Sequence, residues 1–545
     1  MNKEMNPNEV GCDNPLGNPD ELISQEIPSG VDRRKFLMRS AVIGAATVLT
    51  GRYVSAHERI LKAVSESLPV LPQAPSVPLD KNLNVVKKGQ GPVMTVIDEF
   101  YKVGPGPSSS HTIGPMRITY DFYQRAAKLP ADKLAKATKL QVNLFGSLSA
   151  TGKGHGTERA ALAGLVGKEP ATVDPLFLDG LRDKPDQVFP VKLGSSTINV
   201  GLKDVIYDAT KGDFHHPNTM TVKLLAGDEV LLEQEYYSVG GGFIEWKGYT
   251  PPKKNAPKYP FRTMKELRAH ADNNKLTIAQ VMLANEMSIA GRSQEEVYTF
   301  VDKIINAMTA TVKSGLSMSE DDVLPGPIKL HSKAATVYKR AMDDTNMADR
   351  GVGLLSACAL AASEENARGH LVITAPTGGS AGVMPSLVYA LIEGRKVPLQ
   401  KVRDGMLAAA AVGYLCKHHA TLSAAEGGCQ AEIGVASSMA AALVATAMDA
   451  ESRVVENAAE SALEHHLGMT CDPVAGYVQV PCVERCAFGA VKAWTAYAIA
   501  SNEIASRHRV DLDATIVALA ETAKDMNSKY KETSEAGLAL SVVLC

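Results

Sequence analysis

The 545-residue chain exceeds what one ordinary hydrophobic core holds, so two or three folded units are expected. With 45% hydrophobic and 21% charged residues it reads as globular, and a formal net charge of -3 gives no basic footprint for nucleic acid and no pull on acidic substrates. Eight cysteines are too few and too uneven for a disulfide-stapled secreted module: Cys12 stands alone, and Cys358, Cys416, Cys429, Cys471, Cys482, Cys486 and Cys545 crowd the later part, as in metal or redox proteins or in cores with unpaired thiols.

Residues 1–31 are polar and aperiodic and read as disordered. Residues 32–38 (DRRKFLM) resemble a twin-arginine export signal. Residues 41–50 are weakly apolar, and Val54-Ser55-Ala56 has the small residues of a signal-peptidase site. Export to the periplasm by the twin-arginine machinery, which carries folded proteins, is the expectation, with a cytoplasmic location as the alternative. No run reaches the roughly 18 to 20 apolar residues that cross a bilayer, so no stable membrane anchor is expected. After this signal-bearing stretch, residues 1–56, the recurrence of Pro69, Pro72, Pro75 and Pro78 makes residues 57–92 an extended tether.

Between residues 93 and 250, short apolar runs such as 140–144 and 219–225 alternate with turn residues, the pattern of an α+β domain. Residues 251–261, rich in Pro, Lys and Asn, read as a linker. From 262 to 545 apolar positions recur at helical spacing and alanine is dense, as in 408–411 and 440–442. The predicted fold class is therefore α+β: an N-terminal α+β domain followed by a larger all-helical domain whose small side chains let helices approach closely.

Several loops concentrate polar chemistry. Gly106-Pro107-Ser108-Ser109-Ser110-His111-Thr112 precedes a predicted helix, where hydroxyls cap free amides and those amides suit a carboxylate; a capped surface loop is the plainer alternative. Residues 146–157 (GSLSATGKGHGT) tempt a phosphate-loop reading. That reading fails, because five residues rather than four separate Gly146 from Gly152, and Gly154 stands where a Ser or Thr must reach magnesium. What remains is a flexible loop presenting Lys153 and His155. Residues 215–220 (HHPNTM) and 238–243 (SVGGGF) add further polar loops, but no lysine stands in a Ser-x-Lys setting, so pyridoxal phosphate is rejected as the cofactor. Residues 376–382 (PTGGSAG) set glycines and hydroxyls before an apolar helix, where backbone amides can approach a ligand carboxylate.

Cys429 (AEGGCQAE), Cys471 (TCDPV) and Cys482 (VPCVER) lie 42 and 11 residues apart, which matches no short zinc or ferredoxin spacing. Glycine and proline beside them put each at a helix-breaking point where a sulfur can face a cluster.

From residue 93 to 545 the motifs PSSSHTIGPM, GSLSATGKGHGT, HHPNTM, YYSVGGGF, APTGGSAG, AEGGCQAEIG and MTCDPVAGYVQVPC follow one another, and a last cysteine closes the series. In that order they resemble the iron-sulfur L-serine dehydratases, in the form where both domains share one chain. The resemblance implies an L-serine ammonia-lyase, with L-serine as its small-molecule partner and a homo-oligomeric assembly. It implies a [4Fe-4S] cluster in which Cys429, Cys471 and Cys482 each hold one iron and the fourth iron is open as a Lewis acid. It further implies that Ser109, Ser110 and Thr112 bind substrate, that His111, Lys153 and His155 serve the acid-base chemistry with His111 as leading base, and that Thr377 and Gly379 hold the carboxylate. Two positions depart from the family pattern: Gly378 and Cys486 stand where asparagine is expected. Cys545, which joins a thiol to the α-carboxylate on one residue, is expected to act as a removable fourth ligand that mimics the substrate. A relative acting on threonine or cysteine, or a catalytically silent cluster-based sensor, are the competing readings.

Overall fold

The structure, a computed structural model, describes residues 91–210, 214–216, 218–250 and 253–542. The twin-arginine segment, the proline tether, Cys12 and Cys545 lie outside the described residues. Among the described residues no helix is long and apolar enough to cross a membrane.

Among the described residues there are nine strands: β1 (Lys102–Pro105), β2 (Lys139–Leu144), β3 (Val188–Leu193), β4 (Ser196–Gly201), β5 (Val205–Tyr207), β6 (Thr219–Ala226), β7 (Glu229–Ser238), β8 (Ile244–Trp246) and β9 (Leu371–Thr374). Five of them form one sheet in the order β5-β2-β6-β7-β8, with β2 and β5 parallel and the other neighbours antiparallel. The period-2 pattern explains β2: Leu140, Val142 and Leu144 are buried while Lys139, Gln141 and Asn143 turn outward. The buried face packs on Ile118, Phe122 and Ala126 of helix Gly114–Ala126 and on Ala161, Leu162 and Leu165 of helix Thr157–Leu165.

The second domain is built around helices Leu399–His419 and Val435–Ala447, which are buried along most of their length. A helix apolar all round must sit inside others, and alanine lets those others close in. Helices Gln294–Leu316, Met347–Arg368, Ser452–Glu464 and Cys482–Asn502 contribute to the same core. Helix starts follow sequence rules: Ser293 with Glu296, and Thr277 with Gln280, make reciprocal capping boxes. The stretch read as a linker is irregular yet pinned, because the Asn285 amide pairs with both the N–H and the carbonyl of Tyr259, at 2.7 and 2.8 Å.

The two domains are stitched together by backbone. The helical domain is not wholly helical: β9 pairs antiparallel with β1, with Lys102 opposite Thr374 and Pro105 opposite Leu371. Just before β1, Val93, Ile97, Phe100 and Tyr101 are buried in the helical domain's core. A polar seam lies nearby. His370 Nδ1 bonds Glu365 Oε2 at 3.0 Å and its Nε2 stands 3.8 Å from Asp179 Oδ2, so the two carboxylates, Asp179 foremost, raise the imidazole to about 9. Because the folded value exceeds the unfolded one, the contribution of His370 to stability is whole below pH 6.5 and is lost as pH rises through about 9. The gap in thermal midpoint between the wild type and His370→Gln should therefore shrink steadily over that range; a gap that widens with pH would contradict the assignment.

Candidate active site

Serine and threonine hydroxyls organise the first wall. Ser108 caps the π-helical turn Ser109–Ile113 by accepting from the His111 N–H at 3.1 Å, and the Ser108 N–H donates to Thr112 Oγ1 at 3.2 Å. His111 is then held at both ring nitrogens, by Ser110 Oγ at 2.8 Å and Ser147 Oγ at 3.0 Å. The Ser110 carbonyl accepts from Ser238 Oγ at 2.7 Å, and Asn218 donates to the Ser238 carbonyl at 3.1 Å, so the two remaining polar loops brace this one. Ser109 is buried in the same turn.

Residues 146–157 are not the flexible loop expected from their glycines. They form helix Gly146–Thr151, a tight turn, and the start of helix Thr157–Leu165. Thr112 Oγ1 donates to the His155 carbonyl at 2.9 Å and Thr157 Oγ1 to the His111 carbonyl at 2.5 Å, locking the turn against the first wall. The imidazoles of His111 and His155 consequently lie 4.8 Å apart. Burial pushes both below their ordinary range, so both are neutral. His155 Nδ1 bonds the Thr151 carbonyl at 3.0 Å; since a carbonyl only accepts, Nδ1 carries the proton and Nε2 the lone pair. That Nε2 is buried, makes no hydrogen bond, and faces Glu532 Oε1 at 3.9 Å. Lys153 does not join this group. It is exposed, with its ammonium 5.7 Å from the Tyr207 ring.

Three thiols form the second wall. Cys429 follows Gly428, whose φ of +72 and close approach to the Met469 carbonyl exclude a side chain there. Cys471 is fixed by backbone bonds to the segment carrying Glu532: its N–H donates to the Tyr530 carbonyl at 2.7 Å and its carbonyl accepts from Glu532 N–H at 2.9 Å. Cys482 opens helix Cys482–Asn502. All three are free and buried. A hydrogen bond from Cys471 holds the Cys429 thiol down at about 7 against burial, with Arg485 helping, while Cys471 and Cys482 are pushed up. Arg485 is itself oriented by the Thr470 carbonyl at 2.5 Å and Asp472 Oδ1 at 3.3 Å.

Between the walls sit two buried carboxyls. Burial, then the charge on Cys429, raises Glu532 to about 7. Burial also raises Glu432, against a hydrogen bond from Thr377. Thr377 Oγ1 shares a 3.2 Å hydrogen bond with Ser380 Oγ, and the absent side chain of Gly379 makes room for the Glu432 carboxyl. At Gly378 a Cβ would stand 2.8 Å from the Ser109 nitrogen and 3.0 Å from the Pro107 carbonyl, so glycine permits the contact between these loops. The Cys486 thiol donates to the Gly379 carbonyl at 3.3 Å.

Ser109, Ser110, His111, Thr112, His155, Thr377, Gly379, Cys429, Cys471 and Cys482 are thus linked through bonds and contacts, whereas Lys153 stands apart and Cys545 lies outside the described residues. Glu432, Glu532, Ser147 and Arg485 were not singled out from sequence. Three of them sit inside the motifs quoted above; Glu532, in YKETSEAG, carried no local signal.

The donor set fits an iron-sulfur cluster. Among the described residues no group of three or more His, Cys, Asp or Glu side chains surrounds a single-ion site. A cubane does not ask for that, since each thiolate binds a different iron. Three buried, mutually interacting thiols from separate stretches, with one arginine beside them, are donors of the kind such a cluster takes.

Residues 96–249 match the family model described as Serine dehydratase beta chain, and residues 273–539 the one described as Serine dehydratase alpha chain. The L-serine dehydratase of Haemophilus influenzae is 39% identical over 466 residues, covering 83% of this chain and the whole of that protein. The chain belongs to the serine dehydratase family. L-serine dehydratase 2 of Escherichia coli is 38% identical over 470 residues with the same coverage, and the L-serine dehydratase of Streptomyces coelicolor 39% over 466, covering 82% of this chain and 99% of its own. As a family member the chain is an enzyme, a lyase, with both parts in the order beta then alpha.

Proposed function

We propose that the enzyme deaminates L-serine to pyruvate and ammonia, with a [4Fe-4S] cluster held by Cys429, Cys471 and Cys482. The observation that carries this reading is the meeting of three buried free thiols with a neutral imidazole pair and a hydroxyl-lined carboxylate loop. The relatives' name, L-serine dehydratase, supports the same substrate. When bound, the cluster supplies a Lewis acid for the leaving hydroxyl.

The chain's own groups do the rest. Thr377 with the Gly379 backbone, and Ser109, Ser110 and Thr112 across from them, bind the substrate carboxylate and orient Cα. Removal of the α-proton requires a free lone pair, and His155 Nε2 holds one, whereas both nitrogens of His111, the base favoured from sequence, are occupied by hydroxyls. His111 then orients Ser110 and Ser147. Loss of the α-proton and the β-hydroxyl gives aminoacrylate, which tautomerises and takes up water to yield pyruvate and ammonia. Burial of the site limits water around the departing group.

Anaerobically reconstituted protein should carry about four irons per chain and form pyruvate from L-serine faster than it forms a 2-oxo acid from threonine or cysteine. Cys429→Ala, Cys471→Ala and Cys482→Ala should each lose the cluster's absorbance; full iron in any of them defeats the ligand assignment. His155→Asn, whose amide nitrogen can keep the bond to the Thr151 carbonyl, should lower kcat by about 100-fold or more with iron content and serine KM near wild type. An unchanged kcat would return the base to another group.

Cys545 is proposed as a displaceable ligand competing with serine. The segment leading to it is anchored beside the thiols, where Leu538 N–H bonds Asp472 Oδ2 at 2.6 Å, and seven residues reach roughly 24 Å when extended. Cys545→Ser should lower the apparent serine KM and speed cluster decay in air, because a tethered competitor acts at high effective concentration. Identical kinetics and decay rates would remove Cys545 from the site.

A further inference from the structure

The turn carrying His155 also borders a cleft that the proposed reaction does not use. The cleft is small, with about 30 Å³ open to water-sized centres and one side open to solvent, and it lies at the seam of the two domains, with Arg159 and Arg182 from the first domain and Arg368 and Gln479 from the second among its lining residues. Two of these residues have buried side-chain atoms with no hydrogen-bond partner: Arg368 Nη2, a donor, and Gln479 Oε1, an acceptor. Arg368 is only 8% exposed and Gln479 only 2%. Neither is free to turn away. Arg368 Nη1 is tied to Glu365 Oε1 at 3.3 Å, and Gln479 Nε2 donates to the Pro325 carbonyl at 2.6 Å, which fixes the amide with its oxygen unsatisfied.

Charge in the seam is unbalanced in the same sense. Glu365 is already engaged by His370 at 3.0 Å and by Ser314 Oγ at 2.7 Å, and Asp179 is shared between Arg182 at 3.1 Å and His370 at 3.8 Å. Glu158 is turned to the Tyr207 hydroxyl. Arg159 Nη1 donates to the Leu178 carbonyl at 3.4 Å, and Glu158 and Asp179 act on it through space. Three guanidiniums and a protonated imidazole thus face three committed carboxylates, leaving positive potential in a partly closed space.

We propose that Arg159, Arg182, Arg368 and Gln479 form a binding site for a compact oxyanion that carries its own hydrogen-bond donor, a hydrogen phosphate or a small hydroxycarboxylate. Guanidinium forks match the paired oxygens of either group, and the Gln479 oxygen accepts the ligand's O–H. Such a ligand ties helices Thr157–Leu165 and Pro175–Asp183 of the first domain to Arg368 at the end of helix Met347–Arg368. It lies beside Gly156, against which Arg159 packs, and so beside the turn that aims His155. The site stands whether or not the proposed reaction is right.

Thermal unfolding of the full chain, titrated with inorganic phosphate or with glycolate at constant ionic strength set by sodium chloride, tests it. At least one of the two should raise Tm saturably. A response to phosphate alone identifies a phosphate site, one to glycolate alone a hydroxycarboxylate site, and one to both the shared oxyanion chemistry. Arg368→Gln should raise the half-saturating concentration about tenfold or more, the loss of one charged hydrogen bond. Arg182→Gln, at the exposed rim, should do the same and keeps the test decisive if the first variant does not fold. No saturable rise with either probe, or an unchanged midpoint concentration in a folded variant, overturns the proposal.

Discussion

The ladder between β1 and β9 is the constraint on which the site depends. Four residues from each domain pair along it, and each strand runs directly into a site loop: β1 into the serine and histidine turn, β9 into the Thr377 loop. The loops meet again where Gly378 lies against Pro107 and Ser109. Without the ladder the hydroxyl wall belongs to one domain and the thiol wall to the other, with only side chains to hold them together. Backbone pairing fixes register in a way that side-chain contacts across a seam do not.

Within that frame the electrostatics are a contest between burial and pairing. Burial alone drives thiols and carboxyls towards their neutral forms and imidazoles likewise. It prevails at Cys482, Glu432, His111 and His155, while at Cys471 the bond to Cys429 does more than burial to keep the thiol neutral. It loses at Cys429, where a neighbouring thiol and Arg485 favour the anion. In the proposed cluster all three would be thiolates, more charge than one arginine offsets in a medium of low polarity, and iron would supply the balance.

The apolar run 140–144 and the alanine-rich helices follow local rules, and they stood out in the sequence because period and propensity are local properties. The same holds for most of the site, since Cys429, Cys471, Cys482 and the hydroxyl loops carry short motifs. What escaped notice was set by distant contacts. Glu532 reaches the thiols because its backbone pairs with Cys471, and Lys153 stands apart from them because the turn that buries His155 leaves it exposed. The glycines of residues 146–157 looked like flexibility, yet bonds from Thr112 and Thr157 make that turn rigid. Residues 93–105 read as the opening of the first domain, but their apolar side chains fill the core of the second.

The bonds that hold Glu532 against Cys471 bear on the order in which the enzyme is made. Cys429, Cys471 and Cys482 leave the ribosome before the segment around Tyr530 that covers Cys471, and domains begin to fold as they emerge. During that interval the thiols have their neighbours on the helical scaffold but lack their outer wall. If these thiols hold the proposed cluster, iron and sulfide would reach them most easily in that interval, before backbone pairing closes over Cys471. In the finished chain the same atoms would have to pass the segment of residues 530–532, whose backbone bonds to Cys471 would open and close again as the site fills.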